Sequence, residues 1–321
     1  MRIGVLTSGG DAPAMNAAIR AITRLGIHRN CEVHGIFGGF DGILNERFHE
    51  LNSKSVSRIL HRGGTFLTTG RSDEFKTEEG QKKAAKILTD RGFDALIGIG
   101  GDGTMRGLAA LRKHWSGKLI GLPGTIDNDL YGTDYTIGFD TAVNNALEAL
   151  DKIRDTAEAF SRTFLVEVMG RHAGFIAFHV GFATGASAIL MPETSTTMDE
   201  LAQTVIHAKE RAKSSVLVVV AEGDELGNAD SIAKELSKRI GEKCRVSVLG
   251  YIQRGGNPTH FDRILATRLG AYAVECLLSG EDGGLVGEIN RELVMTPFEE
   301  TWTKKKPIDQ WMLGLLDELS G

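Results

Sequence analysis

The sequence predicts an α/β protein of two similar lobes, each with a mostly parallel sheet sandwiched by helices. Short β-branched apolar runs alternate with helical stretches of ten to twenty residues, the pattern of βαβ units. Most of those runs are apolar on both faces, as strands covered by helices require. Glycines pair at their carboxyl ends, where a backbone turns tightly or approaches a ligand. At 321 residues the chain is long for one core and fits about two domains.

Strands are expected at 2–7, 32–37, 94–99, 117–122, 163–168, 187–191, 215–221 and 245–249. Helices are expected at 13–27, 78–91, 103–114, 139–159, 198–213, 228–240 and 259–279, where apolar residues recur at i, i+3 and i+4. The longest, 139–159, sets Val143, Leu147, Leu150 and Ile153 on one stripe and starts where a glycine-rich half ends, which puts a lobe boundary near 138. A polar stretch from Thr303 to Pro307 leads into a short amphipathic helix, Ile308 to Leu319, with Trp311, Leu315 and Leu319 on one face.

Lys and Arg number 37 against 42 Asp and Glu, a net charge of −5, so no global field draws the chain to nucleic acid or anionic lipid and any anion site is built locally. Cys31, Cys244 and Cys276 are odd in number and widely spaced, which fits neither a disulfide framework nor a CxxC metal site and predicts a reducing, cytoplasmic setting. With a strand expected to open at Arg2, no signal peptide is expected. The aliphatic run Val216 to Ala221 is too short to span a bilayer, so a soluble protein is expected. His28, His34, His61 and His114 stand singly without zinc spacing, and Gly-x-Ser-x-Gly is missing.

Three turns carry chemistry. The first strand ends in Thr7-Ser8-Gly9-Gly10-Asp11-Ala12-Pro13 before a helix; such a turn leaves N–H groups open at a helix N-terminus, where they attract phosphate. The second, Gly100-Gly101-Asp102-Gly103-Thr104, gives a polyphosphate a bare backbone to lie on, while Asp102 and Thr104 can hold a hard cation through oxygen. The third, Pro123-Gly124-Thr125-Ile126-Asp127-Asn128-Asp129, sets two carboxylates two residues apart at a strand's carboxyl end, the edge where open α/β sheets bind ligands. One carboxylate can accept the proton of an attacking hydroxyl and the other can orient that base or bind substrate.

These turns resemble, over nearly the whole chain, the bacterial-type ATP-dependent 6-phosphofructokinases. The resemblance also rests on Arg62-Gly63-Gly64-Thr65, Gly132-Thr133-Asp134-Tyr135-Thr136, Val168-Met169-Gly170-Arg171 and Gln253-Arg254-Gly255-Gly256. It implies a Rossmann-related fold in which 1–138 plus 251–301 binds ATP and 139–250 plus 302–321 binds fructose 6-phosphate. It implies the glycolytic transfer of the γ-phosphoryl of Mg²⁺-ATP to the sugar's 1-hydroxyl, with Asp127 as base. Thr125 and Asp129 match residues around the sugar and phosphates, and Arg171 one that binds the transferring group. Gly10, Arg71, Ser72, Gly101, Asp102, Gly103 and Thr104 match the ATP side, with Asp102 at the metal.

Met169, Gly170, Arg171, Glu222, Tyr251 and Arg254 match the sugar-phosphate pocket. Arg162 and Arg245 match residues that reach a neighbouring subunit's site, implying a homotetramer. An effector site would use Arg20, Arg24, Arg154, Gly185, Arg211 and Lys213, with a nucleoside diphosphate or phosphoenolpyruvate as effector. The chain departs from the family at Ser53 and Ser187, where an arginine and a glutamate are usual, at Tyr251 in place of a histidine, and at Ala14 in place of a glycine, where a negative φ is expected.

Pyrophosphate-using relatives carry a carboxylate at position 103 and a lysine at 124, and both are glycine here, which favours ATP over a pyrophosphate-dependent or dual-donor enzyme. A non-catalytic nucleotide or sugar-phosphate sensor would lack a base or metal ligand, yet Asp102, Asp127, Asp129, Arg71 and Arg171 are all present. A dinucleotide oxidoreductase would need GxGxxG after a strand, and neither glycine turn has that form.

Overall fold

The computed structural model describes residues 1–211 and 215–319. Its described strands are β1 (Arg2–Ser8), β2 (Glu32–Ile36), β3 (Phe48–Glu50), β4 (Ala95–Gly100), β5 (Lys118–Pro123), β6 (Thr163–Val168), β7 (Ala188–Leu190), β8 (Val216–Ala221), β9 (Arg245–Val248), β10 (Gly284–Ile289) and β11 (Glu292–Pro297). Every strand expected from the sequence is present to within one residue at either end. The helix expected at 198–213 runs Met198–Glu210, and residues 212 and 213 lie outside the described residues.

The chain divides into two units. The first comprises Met1–Ile126, Leu130–Thr141 and Arg254–Lys306; the second comprises Asp127–Asp129, Ala142–Gln253 and the chain from Pro307 on. In the first, seven strands lie in the order β11-β10-β5-β4-β1-β2-β3. From β10 to β2 all neighbours are parallel, and the edge strands β11 and β3 are antiparallel. The chain passes from β1 to β2 on one side and returns to β4 on the other, so β1 and β4 flank a topological switch point, where such sheets bind ligands. The second unit holds the parallel sheet β7-β8-β6-β9.

Each sheet is covered by its own apolar layer. Leu6, Ile36, Phe40, Phe75, Leu96, Leu108 and Phe298 belong to the core of the first, and Leu165, Leu201, Val205, Val218, Ile232 and Leu236 to that of the second. Each such side chain contributes roughly 1.5–3 kcal/mol on full burial. Helix Met15–His28 packs against helix His260–Ser279 at Gly270, where a Cβ would lie 2.8 Å from the Ala18 carbonyl oxygen. That close approach fixes the helix that follows the first glycine turn.

Elements absent from the sequence reading lack its signals. Helix Phe175–Thr184 (FIAFHVGFAT) is apolar all round and shows no stripe. Strands β10 and β11 form a two-residue hairpin in which Asn290 and Arg291 take φ of 52° and 69°, a mirror-type turn without its usual glycine.

One buried carboxylate organises the first unit. Asp262, fully buried, accepts from Gly138 N (2.9 Å), Thr141 N (2.8 Å) and Thr141 Oγ1 (2.5 Å). It thereby holds the first turn of helix Phe139–Ala159, which belongs to the first unit through Thr141. Burial pushes its pKa up to about 6 against the opposing pull of these hydrogen bonds. The folded state therefore holds the Asp262 proton more tightly than the unfolded chain does, so this group favours folding at low pH and loses that contribution as pH rises through about 6. Denaturant titrations should show the stability of the parent relative to Asp262→Asn falling between pH 4 and 6 and levelling off above 7. A difference independent of pH would refute the shift.

Candidate active site

In the first unit, register brings the starts of the three sequence turns side by side. Ser8 on β1 pairs with Gly100 on β4, and Gly100 pairs with Pro123 on β5, so all three turns leave the sheet at one edge. Thr104 Oγ1 donates to Ser8 O at 3.1 Å and ties the second turn to the first. Gly100 is required for this: a Cβ there would lie 2.2 Å from Thr104 Oγ1 and 2.4 Å from Ser8 O. Gly103 is the opposite case, exposed with nothing within 4 Å of a Cβ.

The two helices that start here, Met15–His28 and Asp102–Arg112, have no side-chain cap at their N-termini, whereas Thr77, Thr197, Asn228 and Thr259 cap helices elsewhere. Uncapped first-turn N–H groups are an anion site. Ala14, at the start of the first of these helices, takes φ 70°, which corrects the expected negative value. Its carbonyl accepts from Ala17 N (2.9 Å) and Ala18 N (3.4 Å), and its own buried position holds this left-handed cap.

Loops pack around these turns. Asn16, buried, donates to Arg62 O (3.1 Å) and accepts from Phe66 N (2.6 Å), pinning the Arg62–Thr65 segment. Thr7 Oγ1 lies 3.0 Å from Thr65 Oγ1, and a Cβ on Gly63 would sit 2.4 Å from Gly256 O. Gly9 N donates to Gly70 O (3.4 Å) and Thr69 Oγ1 to Gly9 O (2.9 Å), so exposed Arg71 follows a segment tied to the first turn. Ser72 Oγ accepts from Phe75 N at 3.2 Å. The Arg254 guanidinium lies 3.4 Å from where a Gly10 Cβ would be, against the first turn. Asn16 and Thr69 carry this loop order, and no periodic pattern marks either position.

The third turn is held at its base by Thr136 Oγ1 donating to Thr125 O (2.6 Å) and Ile137 N to Pro123 O (2.7 Å). Asn128 takes φ 55°, a conformation Asn tolerates better than most residues. Asp127 on one side of it is 7% exposed, while Asp129 on the other is exposed. Two like residues thus meet unlike environments, which is the condition for dividing proton acceptance from orientation.

In the second unit, β6 and β8 end in register at Val168 and Ala221. Arg171 takes φ 53°, its N donates to Glu222 Oε2 at 3.3 Å, and a Cβ on Gly223 would lie 1.8 Å from Arg171 O. Met169 N donates to Gln253 Oε1 at 3.3 Å, so buried Gln253 anchors the Met169–Gly170 segment after β6. Tyr251 is exposed at 78%. Arg162 lies 4.2 Å over the exposed Phe160 ring, and Arg245 Nε is buried with no hydrogen-bond partner among the described residues.

The residues matched to an effector site fall in both units. Arg20, Arg24 and Ser53 are in the first, where Arg24 donates to Ser53 O at 3.4 Å. Arg154, Gly185, Ser187 and Arg211 are in the second, where Arg154 donates to Thr184 O beside Gly185, which has φ 59°. Lys213 lies outside the described residues.

No group of three or more His, Cys, Asp or Glu side chains able to hold a metal ion occurs among the described residues. Asp102 is half-buried and paired with Arg106 Nε at 2.9 Å; Thr104, 2% exposed, is turned inward under the turn. Of the two, Asp102 is the one that leaves a carboxylate accessible at the second turn.

Doubly wound sheets whose uncapped helix N-termini meet glycine turns at a switch point define an α/β protein built to handle phosphate groups. The chain belongs to the phosphofructokinase family: the profile described as phosphofructokinase matches residues 2–277. An ATP-dependent 6-phosphofructokinase 1 of Thermus thermophilus is 50% identical over 319 residues, 99% of each chain, and an ATP-dependent 6-phosphofructokinase of Bacillus subtilis is 48% identical over the same length. A phosphofructokinase structure from Saccharomyces cerevisiae superposes with a TM-score of 0.89 at 33% identity, covering 99% of this chain and 47% of that one. A pyrophosphate-dependent phosphofructokinase from Marinobacter aquaeolei shares the fold at TM-score 0.85 and 22% identity, covering 100% of this chain and 92% of that one.

The contrast between the two glycines is testable by denaturation. Gly100→Ala should cost about 1–3 kcal/mol or more, since its Cβ meets backbone and an engaged hydroxyl. Gly103→Ala, in a helix and facing open space, should be neutral or stabilising by about 0.5–1 kcal/mol. Equal losses at both positions would contradict the packing described.

Proposed function

We propose that the chain transfers the γ-phosphoryl of ATP to the 1-hydroxyl of fructose 6-phosphate, giving fructose 1,6-bisphosphate and ADP in glycolysis, in the cytoplasm. The observation that carries the reading is the bare edge of the first sheet: three turns in register, two uncapped helix N-termini, and open space at Gly103. The near-full-length similarity to ATP-dependent 6-phosphofructokinases supports the choice of substrates.

On this reading the first unit holds the nucleotide. Gly10, Gly101 and Gly103 expose backbone to the phosphates, Arg71 and Ser72 bind them, and Thr104 keeps the bed in shape. Asp102 would hold a magnesium ion arriving on the triphosphate, which would supply positive charge against the phosphate oxygens. Asp127 accepts the proton of the sugar's 1-hydroxyl as that oxygen bonds to the γ-phosphorus, and ADP leaves with the bridging oxygen. Thr125 and Asp129 orient the reacting groups, and Arg171 offsets charge on the transferring phosphoryl.

Met169, Gly170, Glu222, Tyr251 and Arg254 bind the sugar phosphate. Arg162 and Arg245 serve a neighbouring copy in a homotetramer. Arg20, Arg24, Arg154, Gly185, Arg211 and Lys213 form an effector site. Scattering mass and saturation curves with and without a nucleoside diphosphate or phosphoenolpyruvate test these last two points.

Pyrophosphate is the weaker donor. A Cβ at Gly124 would lie 2.8 Å from Ile99 Cγ2 and 2.9 Å from Met15 Cε, so a lysine there needs a different backbone. A coupled assay offering ATP or pyrophosphate with fructose 6-phosphate should register turnover with ATP. Asp127→Ser should lower kcat by about 10²- to 10⁴-fold at unchanged stability; near-normal kcat would remove the base assignment. Gly103→Asp should fold normally yet lose ATP turnover, because its carboxylate enters the space left for the phosphates; undiminished turnover would count against the bed.

A further inference from the structure

The segment Gly170–Gly174 holds Arg171 in a conformation that L-residues rarely adopt: φ is 53° at Arg171 and 144° at Gly170. Within the segment one backbone bond, Ala173 N to Gly170 O at 2.9 Å, closes the turn. The rest of the restraint comes from outside, at both ends. At the near end Glu222, after β8, accepts from Arg171 N at 3.3 Å. At the far end Glu193, after β7, accepts from Gly174 N with Oε1 at 2.9 Å and Oε2 at 3.0 Å.

Glu193 is set down on this spot. A Cβ at Gly174 would lie 2.4 Å from Met191 Cβ and 2.5 Å from Glu193 Oε2, so the 191–193 segment rests directly on the glycine. Helix Phe175–Thr184, which starts there, has no acidic residue in its first turn and no side-chain cap of its own. The Glu193 carboxylate supplies the negative charge its positive end favours.

We infer that Glu193 is a positioning residue: by clamping Gly174 it holds the loop that aims Arg171, without touching the reacting groups itself. The inference rests on the reading that Arg171 meets the transferring phosphoryl. Released at Gly174, the loop relaxes toward ordinary backbone angles and carries the guanidinium off its target. Displacements of about 1 Å at a reacting group cost up to about 10²-fold in rate.

The test uses the full-length enzyme with ATP and fructose 6-phosphate, together with amide hydrogen exchange over peptide 169–176. Glu193→Ala should lower kcat by about 10- to 100-fold, leave KM for ATP within about two-fold, and speed exchange at Gly174 and Arg171. Glu193→Gln keeps a side-chain carbonyl acceptor and should recover kcat to within about three-fold. The inference is overturned if Glu193→Ala keeps kcat within two-fold, whatever its melting temperature, or if Glu193→Gln is as slow as Glu193→Ala. Should Glu193→Ala not fold, Glu193→Asp decides: lower kcat with faster Gly174 exchange supports the clamp, and parental kcat with faster exchange refutes it. A parent enzyme inactive with this substrate pair would instead sink the proposed function, and the exchange data would still report on the clamp.

Discussion

The contact between the Thr104 hydroxyl and the Ser8 carbonyl is the constraint on which the arrangement of the three turns depends. It joins the ends of β1 and β4 at the switch point, and it exists because Gly100 has no side chain to stand in its way. With that bond made, two helices begin at one edge without side-chain caps, and the β5 turn follows in register. On the proposed reading, anion binding is a property of backbone geometry, in a chain whose net charge is −5.

Left-handed residues stand at these places as well as elsewhere in the chain. Ala14, Asn128 and Arg171 all take left-handed φ beside residues assigned to chemistry. Such conformations persist only where surroundings over-determine them. At Asn128 the twist parts Asp127 from Asp129, burying one and leaving the other in water. At Arg171 the surroundings are two carboxylates on neighbouring strand ends.

Much of this was legible beforehand, for stated reasons. Buried parallel strands are continuous apolar runs, so all eight expected ones were found to within a residue. Helix Phe175–Thr184 escaped because a helix buried on every side has no periodicity, and the β10–β11 hairpin because its turn uses Asn-Arg where glycine is the usual signal. The turns at Gly100–Thr104 and Thr125–Asp129 were visible because glycine and aspartate sit together at strand ends. Glu193 was not, since a lone glutamate after a short strand carries no local pattern.

The amino-acid order by itself determined the α/β class, the strand positions and the residue types at each turn, because periodicity and glycine placement act over a few residues. Only the tertiary structure decided that Thr104 faces inward, that Ala14 is left-handed, that Asp127 rather than Asp129 is buried, and that Glu193 meets Gly174. Each of these is set by a neighbour distant along the chain, and burial, hydrogen bonding and backbone strain are properties of the neighbour as much as of the residue.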